Sequence, residues 1–387
     1  MQPFEPDLAI STALPPLGLP AAARGRHGSP LIESNAALNR QELADKALLL
    51  RSRPQVVFVE LSRRCNLACS MCHRWTLPRG SFVDMGDELI ESLVDELFPT
   101  AGIVDLHGLG ESTLHPRFSE VVRRTAARGS RVRLVTNMNG LTHEVMQTLV
   151  DVDAYVCFSL GALGQEAYAR IYAKGDFADL SANLRTLQRL RAQAGTCRDM
   201  TCMSMIYRPN LSEIAGILHF LADHDVRHHR MFPMYLKPGD RRFMGEHLDE
   251  WARAVDQAFD LADQLGMEVR VIDWPVPPGT SHKTLAAHTC HRPWTHVHVN
   301  VDGKVGLCDY NEHVDAMATL QMAPGRADAI WNGPIYQAIR RNFRDGEPSR
   351  ASSFCGDVCR HTKYVDFDDK VLPELGERVL SNRNRGL

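Results

Sequence analysis

The chain has 387 residues, enough to bury a large core, and its 44% hydrophobic and 24% charged residues are the balance of an ordinary folded globular protein. A formal net charge of -3 excludes a broad phosphate-binding surface, so a small molecule or a peptide is a better partner than nucleic acid. No apolar run reaches the roughly 20 residues that span a bilayer, and the opening MQPFEPDLAI lacks a signal-peptide pattern, which predicts a cytoplasmic protein with no membrane partner.

Residues 1–54 read as a loose arm carrying Pro15, Pro16 and Pro20, followed by one helix between Asn35 and Leu50. From residue 55 to about 275, apolar runs of strand length alternate with helical stretches: QVVFVEL, GDELIESLVDELF, GIVDLHGL, RFSEVVRRTAARG, RVRLVTN, THEVMQTLVDV, AYVCFSL and onward through VRHHRMFPM. About six strands, each followed by a helix, predict an α/β fold in which parallel strands and crossover helices curl into a partial (β/α)6 barrel. A further helix, WARAVDQAFDLADQLG, and a strand, MEVRVID, lead into residues 276–366. That stretch has four cysteines, a hairpin pattern in VNVDGKVGL with Asp-Gly at its turn, and a short helix near IYQAIRRNF, which predicts a small separate α+β domain. Residues 367–387 form a charged tail.

In a reducing compartment, the 10 cysteines are metal ligands or catalysts where they cluster, rather than a disulfide framework. VELSRRCNLACSMCHRW places Cys65, Cys69 and Cys72 in one loop after the first strand. Three thiolates can ligate three irons of a 4Fe-4S cube and leave the fourth iron open. A structural zinc site is the plainer reading, but it wants four ligands, and His73 is badly placed beside Cys72.

CxxxCxxC after the first strand of a βα series resembles the radical S-adenosylmethionine (radical SAM) superfamily, over roughly residues 55 to 240. The resemblance implies that the open iron binds SAM and that Met71, where the family often has an aromatic residue, packs near the adenine. HGLGESTLHP resembles the family's GGE segment, with Gly108 and Gly110 permitting close backbone approach and Glu111 offering a carboxylate to the SAM ammonium. The turn after the third strand, with Asn137, resembles the family's TNG turn, and Ser159 in FSLGA matches a SAM-contact position; each also suits an ordinary strand-end turn. EAYARIYAKGDF resembles a segment that usually carries an Arg for the SAM carboxylate; here that position is Tyr172, with Arg170 and Lys174 nearby.

Cys290, Cys308, Cys355 and Cys359 complete the ligand set of a closed 4Fe-4S cluster, although a four-thiolate zinc site has compatible spacing. CHRPWTHVHVNVDGKVGLCDY resembles the opening of SPASM and twitch auxiliary-cluster domains, and four cysteines suit the shorter twitch form with one cluster. The cofactors implied are two 4Fe-4S clusters and SAM, with a flavodoxin- or ferredoxin-type reductant. One auxiliary cluster with this cysteine order resembles the radical SAM dehydrogenases of aminoglycoside biosynthesis, which implies oxidation of a secondary alcohol on an aminocyclitol- or sugar-like small molecule, the auxiliary cluster taking the electron.

That chemistry needs a base beside the reacting hydroxyl. Period-two alternation groups Asp105 with His107, Tyr155 and Cys157 with Ser159, and His228 with Arg230, so His107, Arg230, Asp105 and Cys157 are the catalytic candidates. Three other functions compete: a redox-neutral epimerase with Cys157 or Cys202 as hydrogen donor, a peptide-modifying enzyme, and a non-catalytic zinc module. The peptide reading lacks a winged N-terminal domain, for which residues 1–50 are too short and Pro-rich.

Overall fold

The computed structural model describes residues 27–78, 80–234, 246–271, 290–307, 320–351, 355, 380–383 and 385. Helix α1 (Pro30–Ala44) starts at the Ser29 N-cap, whose hydroxyl accepts from the Ile32 N–H. Its inward face is polar: Asn35 Nδ2 donates to the Arg53 and Thr100 carbonyls, Asn39 to Trp294 O, and Glu42 accepts from the Arg51 and Ser52 N–H groups. The helix is therefore held by hydrogen bonds to loops on both sides more than by an apolar stripe.

Six βα units follow, as expected. Strands β1 (Val56–Val59), β2 (Ile103–Leu106), β3 (Arg131–Thr136), β4 (Tyr155–Ser159), β5 (Met200–Ile206) and β6 (His228–Pro233) lead in turn to helices α2 (Asp87–Glu96), α3 (Phe118–Ala127), α4 (His143–Asp151), α5 (Gln165–Ile171) with α6 (Phe177–Ala194), α7 (Ile214–Asp223) and α8 (Leu248–Leu265). The boundaries obey local chemistry. Asp176 caps α6 by accepting from the Ala178 and Asp179 N–H groups, and Gly195, at φ 71°, ends it in the left-handed region.

Strand β7 (Glu268–Val271) extends the sheet beyond β6. Helix α9 (Arg292–Thr295) then leads into β8 (His296–Val299) and β9 (Val305–Gly306), the predicted hairpin, with Gly303 at φ 81° in its turn. Instead of forming a sheet of its own, this hairpin continues the barrel sheet: β8 pairs with β1 in parallel, matching Phe58 to His298. The order is β7-β6-β5-β4-β3-β2-β1-β8-β9, parallel throughout except for the β8–β9 pair. Helices α10 (Ala327–Trp331) and α11 (Pro334–Arg344) complete the described C-terminal segment.

Alternation divides the strand side chains between two environments. Val57, Val59, Val104, Leu106, Val132, Leu134, Val156 and Phe158 join the large core under the helices. Val56, Phe58, Ile103, Tyr155 and Cys157 form a second cluster on the other face, joined by Val135 and Met203. Side chains of nonadjacent strands meet there because the sheet curls, giving the partial barrel a lumen.

Candidate active site

The Cys65–Cys72 loop leaves the C-terminal end of β1 and is anchored from three sides. Glu111 N donates to Arg64 O (2.8 Å), Ala68 N to Ala173 O (2.7 Å), and Ser70 N to Ile171 O (3.0 Å). From within, Arg74 donates to Leu67 O (2.7 Å) and the Trp75 indole to Cys69 O (3.0 Å). All three thiols are half-buried. Burial pushes Cys69 up to about 12, with Cys72 and Cys65 adding to it, and burial likewise raises Cys65. Thiols crowded where their thiolates repel suit cationic iron, which binds them deprotonated. Among the described residues, no three His, Cys, Asp or Glu side chains are arranged to hold a metal ion. The donor set fits a cube, which takes each thiolate on a different iron, better than a closed zinc site.

The expected SAM-side residues adjoin this loop. A Cβ on Gly110 would lie 2.1 Å from Ser62 O and 2.6 Å from Arg64 O, and one on Gly108 would lie 2.4 Å from Glu60 Cγ. Both glycines thus let the β2 loop lie directly on β1 and the cysteine loop, a protein contact where ligand approach was expected. Glu111 is buried, which raises its carboxyl; partly opposing this, its oxygens accept from Asn137 N (2.8 Å) and Thr113 Oγ1 (2.8 Å). Asn137 Nδ2 donates to Asn66 Oδ1 at 2.8 Å and lies 3.8 Å from Cys65 Sγ. Met71 is half-buried against the core, and Ser159 is half-buried at the end of β4. Arg170 pairs with Glu166 (2.8 Å) on the surface, and Tyr172 is buried.

The lumen holds the expected catalytic candidates. Asp105 is fully buried; desolvation would raise its carboxyl, but Arg133 and His107 outweigh this and hold it below the usual range. Its Oδ1 lies 3.0 Å from His107 Nδ1, and its Oδ2 is paired with Arg133. Across the lumen, Tyr155 accepts from Arg230 (3.1 Å) and shares a hydrogen bond with Thr201 (3.1 Å). Cys157 belongs to the lumen cluster, whereas Cys202 lies in the core under the helices, so of the two proposed hydrogen donors only Cys157 shares the lumen face. His228 lies 3.3 Å from Glu268 at the edge strand. Sequence reasoning missed Arg133, although its period-two place on β3 was the available signal, and missed Glu60, for which no motif pointed the way.

In the C-terminal segment Cys290 and Cys355 are half-buried and pack against the large core; Cys308 and Cys359 lie outside the described residues. The CHRPW segment is fixed by the Trp294 indole donating to Ala47 O (2.7 Å) and by Arg340 donating to Pro293 O (2.9 Å).

A curled parallel sheet with three half-buried thiols in the loop after its first strand and an ionisable lumen fits an α/β barrel enzyme with a metal cluster on its cysteine loop. Residues 59–221 match the radical SAM superfamily, and residues 290–360 match the SPASM iron-sulfur cluster-binding domain. The chain carries a radical SAM domain, which binds SAM and a 4Fe-4S cluster, and a SPASM/twitch domain, which binds auxiliary iron-sulfur.

It is 35% identical over 112 residues to the tungsten-containing aldehyde ferredoxin oxidoreductase cofactor-modifying protein of Pyrococcus furiosus, an alignment covering 28% of this chain and 31% of that protein. It is 25% identical to the mycofactocin maturase MftC of Mycobacterium ulcerans, over 78% of this chain and 80% of the relative. Among solved structures, Streptococcus suis SuiB bound to its precursor peptide SuiA shares the fold, with TM-score 0.57 and 13% identity over 79% of this chain and 71% of that one. Among the described residues, no helix is long and apolar enough to cross a membrane.

Proposed function

We propose that this enzyme oxidises a secondary alcohol on an aminocyclitol- or sugar-like molecule held in the barrel lumen, and that a flavodoxin- or ferredoxin-type protein reduces it. Bound at Cys65, Cys69 and Cys72, with a second cluster at Cys290, Cys308, Cys355 and Cys359, the iron-sulfur centres supply one-electron chemistry: cleavage of SAM to a hydrogen-abstracting radical, and uptake of the surplus electron. Glu111, Asn137, Ser159 and Met71 would line the SAM side, next to the glycines that seat their loop.

The observation that carries the reading is the pairing of His107 with the buried Asp105. An ionised carboxylate at 3.0 Å from Nδ1 orients the imidazole, so the other ring nitrogen can take a hydroxyl proton. Arg133 keeps that carboxylate charged, while Arg230 and Tyr155 provide donors that would orient substrate oxygens. Anaerobic turnover with SAM, dithionite and candidate cyclitols tests the reading. It expects 5'-deoxyadenosine together with a product lighter by two hydrogens; 5'-deoxyadenosine with an unoxidised epimer would instead favour Cys157 as a hydrogen donor.

A peptide substrate is the second reading. It is favoured by alignment with a mycofactocin maturase along 78% of this chain. Substrate-dependent turnover of a precursor peptide, with no response to any cyclitol, would select it.

A further inference from the structure

Beside the Asp105–His107 pair, the C-terminal segment contributes a row of side chains to the barrel lumen. Strand β8 lies parallel to β1 with Phe58 opposite His298 and Val59 opposite Val299, so the next positions, Glu60 and Asn300, are also neighbours. Val297 and Val299 belong to the core under the helices; alternation therefore puts His296, His298 and Asn300 on the lumen face. The ring contacts agree, since Phe58 packs at 5.5 Å from His296 and 6.0 Å from His298.

Asn300 stands out within that row. Its side chain is fully buried, yet neither Nδ2 nor Oδ1 has a hydrogen-bond partner. Its backbone is engaged, N donating to Lys304 O (2.9 Å) and O accepting from Gly303 N (2.8 Å), so the turn places the amide without using it. Leaving a buried donor and acceptor unmet is unfavourable, which favours a ligand that satisfies both.

Glu60 makes the placement rigid. Its buried carboxylate accepts from Arg63 Nε (2.7 Å) in the cysteine-loop entry, from Leu109 N (3.0 Å) in the β2 loop, and from Val301 N (3.2 Å) next to Asn300. One carboxylate thus ties the cluster loop, the glycine loop and the auxiliary-domain hairpin together.

We propose that Asn300 is a binding residue for a vicinal diol, with Nδ2 donating to one hydroxyl and Oδ1 accepting from its neighbour. Two adjacent hydroxyls present a donor and an acceptor side by side, as the carboxamide requires. A trans peptide unit directs its N–H and C=O in opposite directions and meets only one of the two atoms. Two molecules bring this chemistry to the lumen, a cyclic polyol substrate and the ribose of SAM; the substrate assignment rests on the function proposed above, whereas the ribose assignment does not.

Calorimetric titration of the anaerobically reconstituted, two-cluster enzyme separates them. Wild type and Asn300→Ala are titrated with SAM and then, in the presence of SAM, with myo-inositol, glucosamine and 2-deoxy-scyllo-inosamine, using cyclohexanol as the control without a diol. A loss of about 10-fold in affinity for a polyol with SAM binding unchanged assigns the amide to substrate, and an equal loss for SAM assigns it to the ribose. Unchanged affinity for SAM, combined with unchanged or absent polyol binding, overturns the proposal. Unchanged cluster absorption in Asn300→Ala confirms that the site remains assembled. If Asn300→Ala weakens a polyol that the enzyme never oxidises, the dehydrogenase reading fails and the diol site stands.

Discussion

Arg133 carries a charge that Asp105 must balance, because both side chains are buried. Replacing Arg133 with Met leaves the buried carboxylate without its cation, and urea unfolding is expected to show a loss of about 3–5 kcal/mol. His107 is different, being partly exposed to the lumen. His107→Asn is expected to lower substrate oxidation about 100-fold or more while SAM cleavage without oxidation continues. Equal loss of both activities would move His107 from substrate chemistry to assembly of the SAM site. Gly110→Ala drives a Cβ into the Ser62 and Arg64 backbone carbonyls. Its expected result is a cost of about 1–3 kcal/mol together with reduced iron loading, because the glycine loop and the cysteine loop can no longer touch.

Among the elements, β6 carries a pH-sensitive group away from the chemistry. His229 is fully buried, shares a 2.8 Å hydrogen bond with Ser204, and is driven by burial down to about 3. The folded state keeps it neutral, while the unfolded chain protonates it near its ordinary value of 6.5. The unfolded state therefore binds more protons between these two values, and stability falls as pH drops through that window, by at most about 1.4 kcal/mol per pH unit. Urea midpoints at pH 7.5 and 5.5 should differ in wild type and converge in His229→Gln; identical slopes would contradict the assignment.

The same scale shows what could be read from the chain. Alternation within one strand placed Asp105 beside His107 and Cys157 on the face of Tyr155, because a period of two needs only local sequence. Glycine and thiol motifs likewise located the cluster loop, since ligand spacing is encoded over a few residues. Glu60 and Asn300 depend on the register between strands, and β1 meets β8 across more than half the chain. No local pattern reports that pairing, so the hairpin was legible while its place beside β1 was not. Cys202 shows the limit in reverse: it was a candidate donor beside Cys157, but the register pairs Cys157 with Thr201 and turns Cys202 toward the helices.

For the molecule as a whole, the unifying feature is that N-terminal helix, barrel and C-terminal segment share one framework. Helix α1 bonds Trp294 O through Asn39, and Glu60 joins the loop before the thiols to the hairpin after β8. Such coupling holds the cysteine loop and the auxiliary segment in one geometry. The most direct test is anaerobic reduction of the reconstituted protein with dithionite in the presence of SAM, followed by quantification of iron and 5'-deoxyadenosine, in wild type and in the triple variant Cys65→Ala, Cys69→Ala, Cys72→Ala. The prediction is about eight irons and formation of 5'-deoxyadenosine in wild type, against about four irons and none in the variant. SAM left intact by reduced, fully loaded wild type, or cleaved equally well without those three thiols, would contradict it.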